Sequence, residues 1–135
     1  MNKIFLILFS SSFLFLASEA NAQWYQVNKI ILTSKDHKYY YDFGTYNDDP
    51  ISGYRSIWTK LKLKKASKIG SIEYNEIYKL LTVDCKENKL RYDETIIKND
   101  NKEVDRLANR ENFREPNNSV ESFDIIQVCN ADRLL

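Results

Sequence analysis

The chain has 135 residues, 20 lysines and arginines against 19 acids, a formal net charge of +1, nine tyrosines and two tryptophans. So even a balance gives no global electrostatic pull toward nucleic acid or an anionic membrane. A length of this order suits one domain with one modest core, and two cysteines with a single distant histidine, His37, are too few ligands for a zinc site.

Residues 1–22 read as a cleaved secretory signal. Lys3 supplies the positive start, Ile4 to Ala17 is apolar apart from Ser10, Ser11 and Ser12, and Ala20-Asn21-Ala22 is a small-residue cleavage site. The apolar run falls short of the roughly 20 residues that span a bilayer. A membrane anchor is therefore not expected, and without a cysteine at the cleavage point neither is a lipid anchor. The mature domain, residues 23–135, is expected to be exported to the periplasm, the outer cell surface or the medium, with no transmembrane segment. In an oxidising compartment its two cysteines, Cys85 and Cys129, are expected to pair, the alternative being two buried thiols. A bridge closing that loop is worth about 4 kcal/mol on the chain-entropy model.

Trp24 to Leu32 is a predicted first strand, rich in aromatic and β-branched residues. Thr33 to His37 is a polar turn that places His37 on the surface, without a nucleophile beside it. Lys38 to Phe43 is a second strand in which Tyr40 opposes Tyr39 and Tyr41. Gly44 to Gly53 reads as loop. Asn47-Asp48-Asp49 within it lacks the alternating carboxylates and later glutamate of an EF-hand calcium loop.

Tyr54 to Lys65 alternates cleanly. Ile57, Thr59, Leu61 and Leu63 make one apolar face, while Trp58, Lys60, Lys62 and Lys64 make the other. The ladder Lys60, Lys62 and Lys64, extended by Lys65 and Lys68, reads as a basic patch for an acidic polymer such as a glycosaminoglycan, or as a solvated face whose lysines blunt an edge.

Ser67 to Ser71 is a turn around Gly70. A hairpin follows: Leu81, Val83 and Cys85 share one face, Lys86 to Lys89 turns with Asn88 suited to positive φ, and Leu90 and Tyr92 return on that face. The first arm, from Tyr74, is long enough to bend near Asn75. Lys98 to Asn112 is polar, and Val104, Leu107 and Ala108 at helical spacing admit a short helix or a loop. After Pro116, Asn118 or Ser119 caps a C-terminal helix of about three turns, with Glu121 placed for a capping box from Asn118.

No nucleophile elbow, phosphate-binding glycine loop or dinucleotide fingerprint occurs, so no enzymatic activity and no cofactor or metal are expected. The aromatics are the remaining signal. Tyr39, Tyr41, Tyr46 and Tyr54 suit a core and a protein interface equally.

In order and spacing the mature chain resembles the bacterial surface-adhesin E family, the protein E-like domains. The resemblance rests on Trp24 after a signal, YYYDF ending on Asp42 and Phe43, SIWTKLKL around Trp58, LLTVDC ending on Cys85, Pro116 and the closing Val128-Cys129. It implies an α+β fold: a single antiparallel sheet of about five or six strands packed on one C-terminal helix and tied by a Cys85–Cys129 disulfide. It also implies a cell-envelope protein that binds host extracellular-matrix or plasma proteins. The family's founding type is lipid-anchored, which this sequence does not match. Expected contacts are Lys60, Lys62, Lys64 and the four tyrosines, with a sheet edge open to a homodimer. The alternative function is a periplasmic accessory or stress protein with a bacterial protein partner.

Overall fold

The computed structural model describes residues 24–27, 34–108 and 111–133. The predicted secretory signal and the later part of the predicted first strand lie outside the described residues.

Six strands form one sheet in sequence order, each antiparallel to the next: β1 Trp24–Val27, β2 His37–Asp48, β3 Arg55–Ile69, β4 Ile72–Asp84, β5 Lys89–Asn99 and β6 Lys102–Leu107. One helix, α1 (Ser119–Cys129), and a short 3-10 turn (Ala131–Arg133) follow. The expected α+β architecture, with its single antiparallel sheet and C-terminal helix, is present.

The β4–β5 hairpin keeps the predicted shared face. Val83 stands opposite Leu90 and Leu81 opposite Tyr92, so alternation places all four on one face. Asn88 turns the chain at φ 54°. Past Tyr92 the pairing slips by one residue at Asp93, which reverses the alternation and returns Ile97 to the buried side.

Three segments depart from expectation. β2 begins at His37 and runs to Asp48, so Gly44 to Asp48 is strand rather than loop, and His37 is a half-buried strand residue. The ladder shifts between Asp42 and Asn47, where side chains take over the bonding. Asp42 Oδ1 accepts the Gly44 N–H at 3.0 Å, and Thr45 Oγ1 accepts the Trp58 N–H at 3.1 Å. β3 likewise continues through Lys68 to Ile69, leaving Gly70 and Ser71 as the turn. Lys102 to Leu107 is an edge strand, neither helix nor loop. Asp100 and Asn101 supply the turn with φ of 48° and 67°, as a two-residue hairpin of this twist requires. Val104 and Leu107 are exposed there, so their helical spacing reflects no buried stripe.

α1 lies across β3, β4 and β5. Its Ile125 and Val128 complete a core with Tyr41, Ile57, Leu81, Val83 and Leu90. Asn118 caps it, accepting the Glu121 N–H at 2.9 Å. The Glu121 carboxylate reaches back to the N–H of Asn117, one residue before the cap, at 2.9 Å. At the other end Cys129 is bridged to Cys85, and Arg55 donates to the Cys129 carbonyl at 2.5 Å, placing a cation on the helix's negative pole.

Candidate functional site

Helix α1 covers one sheet face. The opposite face is built by register into rows of neighbouring side chains. One row reads Lys38, Lys62, Glu76, Lys98, Glu103 across β2 to β6. The next reads Gln26, Tyr40, Lys60, Tyr78, Ile96, Arg106 across β1 to β6.

Of the predicted lysine ladder, Lys62 falls in the first row and Lys60 in the second, while Lys64 lies beyond both. Lys60 is enclosed: its Nζ lies 4.4 Å from the Trp24 ring centroid, 4.6 Å from Tyr40 and 5.8 Å from Tyr78. These are cation–π distances. Burial lowers the Lys60 pKa from the ordinary lysine value, and the charges of Lys62 and Lys98 act the same way against Glu76 and Asp42. This ammonium is already held by the protein's own rings.

Lys62 and Lys64 instead line a groove of about 460 Å³ with Lys35, His37 and Lys38, brought from the start of β2. Tyr40, Leu63 and Asn75 complete its lining, which among the described residues holds no carboxylate. The Lys64 N–H donates to the Asp36 carbonyl at 2.9 Å, fastening the loop that carries Lys35 to β3. Asn75 is locked by Asp100: its amide donates to Asp100 Oδ1 at 3.0 Å and its oxygen accepts the Asp100 N–H at 3.1 Å. Ion pairs among the described residues are made by Arg55, Arg91, Arg106 and Arg114, none by a lysine. The groove's lysines thus make no direct ion pair among the described residues, although Glu76 stands opposite Lys62 on β4.

The predicted tyrosines fall elsewhere. Tyr41 is 2% exposed and donates to Asp124. Tyr39 donates to the other oxygen of Asp124 at 3.2 Å, so both rings take part in the helix–sheet packing, Tyr41 buried and Tyr39 partly so. Tyr46 packs against the same core. Tyr54 is half-buried against Phe113, with ring centroids 4.7 Å apart, and near the Arg91 guanidinium.

Asp124, which composition did not single out, is fully buried under α1. Burial raises its pKa to about 7, against the two phenol hydrogen bonds, which favour the carboxylate. Burial and the Asp124 charge together push the Tyr41 hydroxyl far above the ordinary phenol value. Glu121, one turn earlier, behaves oppositely. Arg114 clamps it with two hydrogen bonds of 2.8 Å, Tyr92 donates at 3.0 Å, and the carboxyl falls to about 2. A smaller cleft of about 280 Å³ opens beside these acids, lined among others by Lys79, Tyr92 and Val120. The acids' oxygens are occupied by the protein's own donors, so this cluster serves to seat the helix.

No cluster of histidine, cysteine, aspartate and glutamate suited to a metal occurs among the described residues, and no described helix is long and apolar enough to cross a membrane. No protein-family model, curated protein or solved structure matches the chain.

Proposed function

We propose that this is a non-enzymatic, exported binding protein, adhesin-like toward host extracellular-matrix or plasma proteins, whose sheet face opposite α1 holds an anionic group of its partner. The observation that carries the reading is the groove over β2 and β3, where Lys35, Lys38, Lys62 and Lys64 converge with no carboxylate among the lining residues. A fold gains nothing from that arrangement, because like charges directly opposite on neighbouring strands are destabilising. The chain carries nineteen acids in all, so carboxylates are plentiful. Local arrangements that lower stability occur mainly where function requires them. The resemblance to surface-adhesin E domains supports the same reading.

Two measurements test it. The mature domain should be retained on immobilised heparin, a sulfated stand-in for matrix glycosaminoglycan, and the triple variant Lys38→Gln, Lys62→Gln, Lys64→Gln should lose that retention. Equal retention of the two proteins removes the groove from the function. Antibody should also label intact cells. Labelling only after permeabilisation ends the host-facing reading and favours a periplasmic protein partner.

A further inference from the structure

We infer that the groove is shaped for an anionic saccharide unit, a sugar ring carrying a sulfate or phosphate ester, and not for a bare inorganic anion. This rests on the anion-binding reading and specifies its ligand. Lys38 and Lys62 stand directly opposite each other on β2 and β3, so one anionic group between them meets two ammonium groups. Beside this pair the wall changes character. Tyr40, two residues along β2 and so on the same face as Lys38, brings an aromatic ring to the groove. A sulfate ion has no use for it. A pyranose ring does, because its C–H face buries against an apolar or aromatic wall.

The wall is held in place before any ligand arrives. Lys60 lies over the Tyr40 ring at 4.6 Å and is itself held by Trp24 and Tyr78. On the groove's far side the Asn75 amide is fixed by its two hydrogen bonds to Asp100, leaving a polar group positioned for a sugar hydroxyl. A preorganised wall loses less freedom on binding and gives selectivity for ring shape. The volume of about 460 Å³ lies within the range of small-ligand sites. A nucleic-acid backbone also carries esterified anions, but the net charge of +1 provides no extended basic surface to follow it.

The test is titration of the mature domain with a sulfated heparin disaccharide, its unsulfated counterpart, glucose 6-phosphate, inorganic sulfate and inorganic phosphate. The heparin disaccharide or glucose 6-phosphate should bind at least tenfold tighter than the matching inorganic ion, and whichever does so identifies the ester. The unsulfated disaccharide should not bind measurably. Tyr40→Ala should bring sugar ester and inorganic ion to within about threefold of each other, Tyr40→Phe should keep the gap, and the double variant Lys38→Gln, Lys62→Gln should weaken both at least tenfold. If Tyr40→Ala does not fold, Tyr40→Thr, which suits a strand but offers no broad apolar face, replaces it. Equal binding of ester and inorganic ion, or a gap that survives loss of the ring, overturns the saccharide proposal while leaving an anion site. Absence of binding to heparin and to both inorganic ions overturns the anion-binding reading itself.

Discussion

Lys38 and Lys62 are direct cross-strand partners on β2 and β3, with Glu76 opposite Lys62 on its other side. The β3 lysine therefore has one repulsive and one attractive neighbour, whereas Lys38 adds only repulsion within that row. Directly opposed like charges cost a few tenths of a kcal/mol to about 1 kcal/mol.

Lys38→Gln should therefore stabilise the fold by about 0.5 kcal/mol while weakening retention on heparin. Urea denaturation and heparin chromatography of one preparation read both quantities. A variant that is less stable and equally retained would remove the argument that this pair exists for binding.

Lys60 and Lys62 should separate in the opposite sense, although the sequence places them in one ladder. Lys60→Ala removes an ammonium and its alkyl stem from between Trp24, Tyr40 and Tyr78, and should cost about 1 kcal/mol of stability. Its effect on heparin retention should be smaller than that of Lys62→Ala, since Lys60 does not line the groove. A larger retention loss for Lys60→Ala would show that the caged amine leaves its rings to meet the ligand.

The two acids of α1 should give stability opposite dependences on pH. Asp124 has its folded pKa raised, by burial, from an ordinary 3.8 to about 7. The folded state binds that proton more tightly, so its contribution is full below about pH 4 and is lost as pH rises toward 7. Glu121 is lowered, first by Arg114, from 4.5 to about 2, so its contribution is full above about pH 4.5 and is lost as pH falls through 2. The acid-linked contributions therefore overlap best near pH 4 to 5. Asp124→Asn should flatten the decline in thermal midpoint between pH 4.5 and 7. An unchanged slope in the variant would assign the decline to another group.

Reduction of the Cys85–Cys129 bridge should cost about 4 kcal/mol by the loop-entropy model. It also frees the C-terminal end of α1 from the β4–β5 turn. Urea unfolding of the Cys85→Ala, Cys129→Ala double variant against wild type measures it. A midpoint that barely moves would mean that the Arg55 contact and the core residues of α1 hold the helix unaided.

The sequence by itself determined the local pieces. Alternation from Ile57 to Leu63 and from Leu81 to Tyr92 defined the strands and their apolar face, because side chains change sides at every residue. Asn118 and Ser119 marked the helix start, and the structure makes Asn118 the cap, its side chain accepting a backbone N–H three residues on. Asp100-Asn101 carried a turn signal that the spacing of Val104, Leu107 and Ala108 obscured. Short polar edge strands bury too little to show a period. Only the tertiary structure decided which residues meet. Register brought Lys35 and Lys38 to Lys62 and Lys64, and Trp24 to Lys60, across separations that no local pattern encodes. Packing of α1 put Asp124 on Tyr39 and Tyr41, which turned two candidate contact tyrosines into core and an ordinary helical aspartate into a buried acid. Alternation depends on the backbone of one strand, but charge repulsion, desolvation and caging depend on neighbours, and these exist only once the sheet has formed.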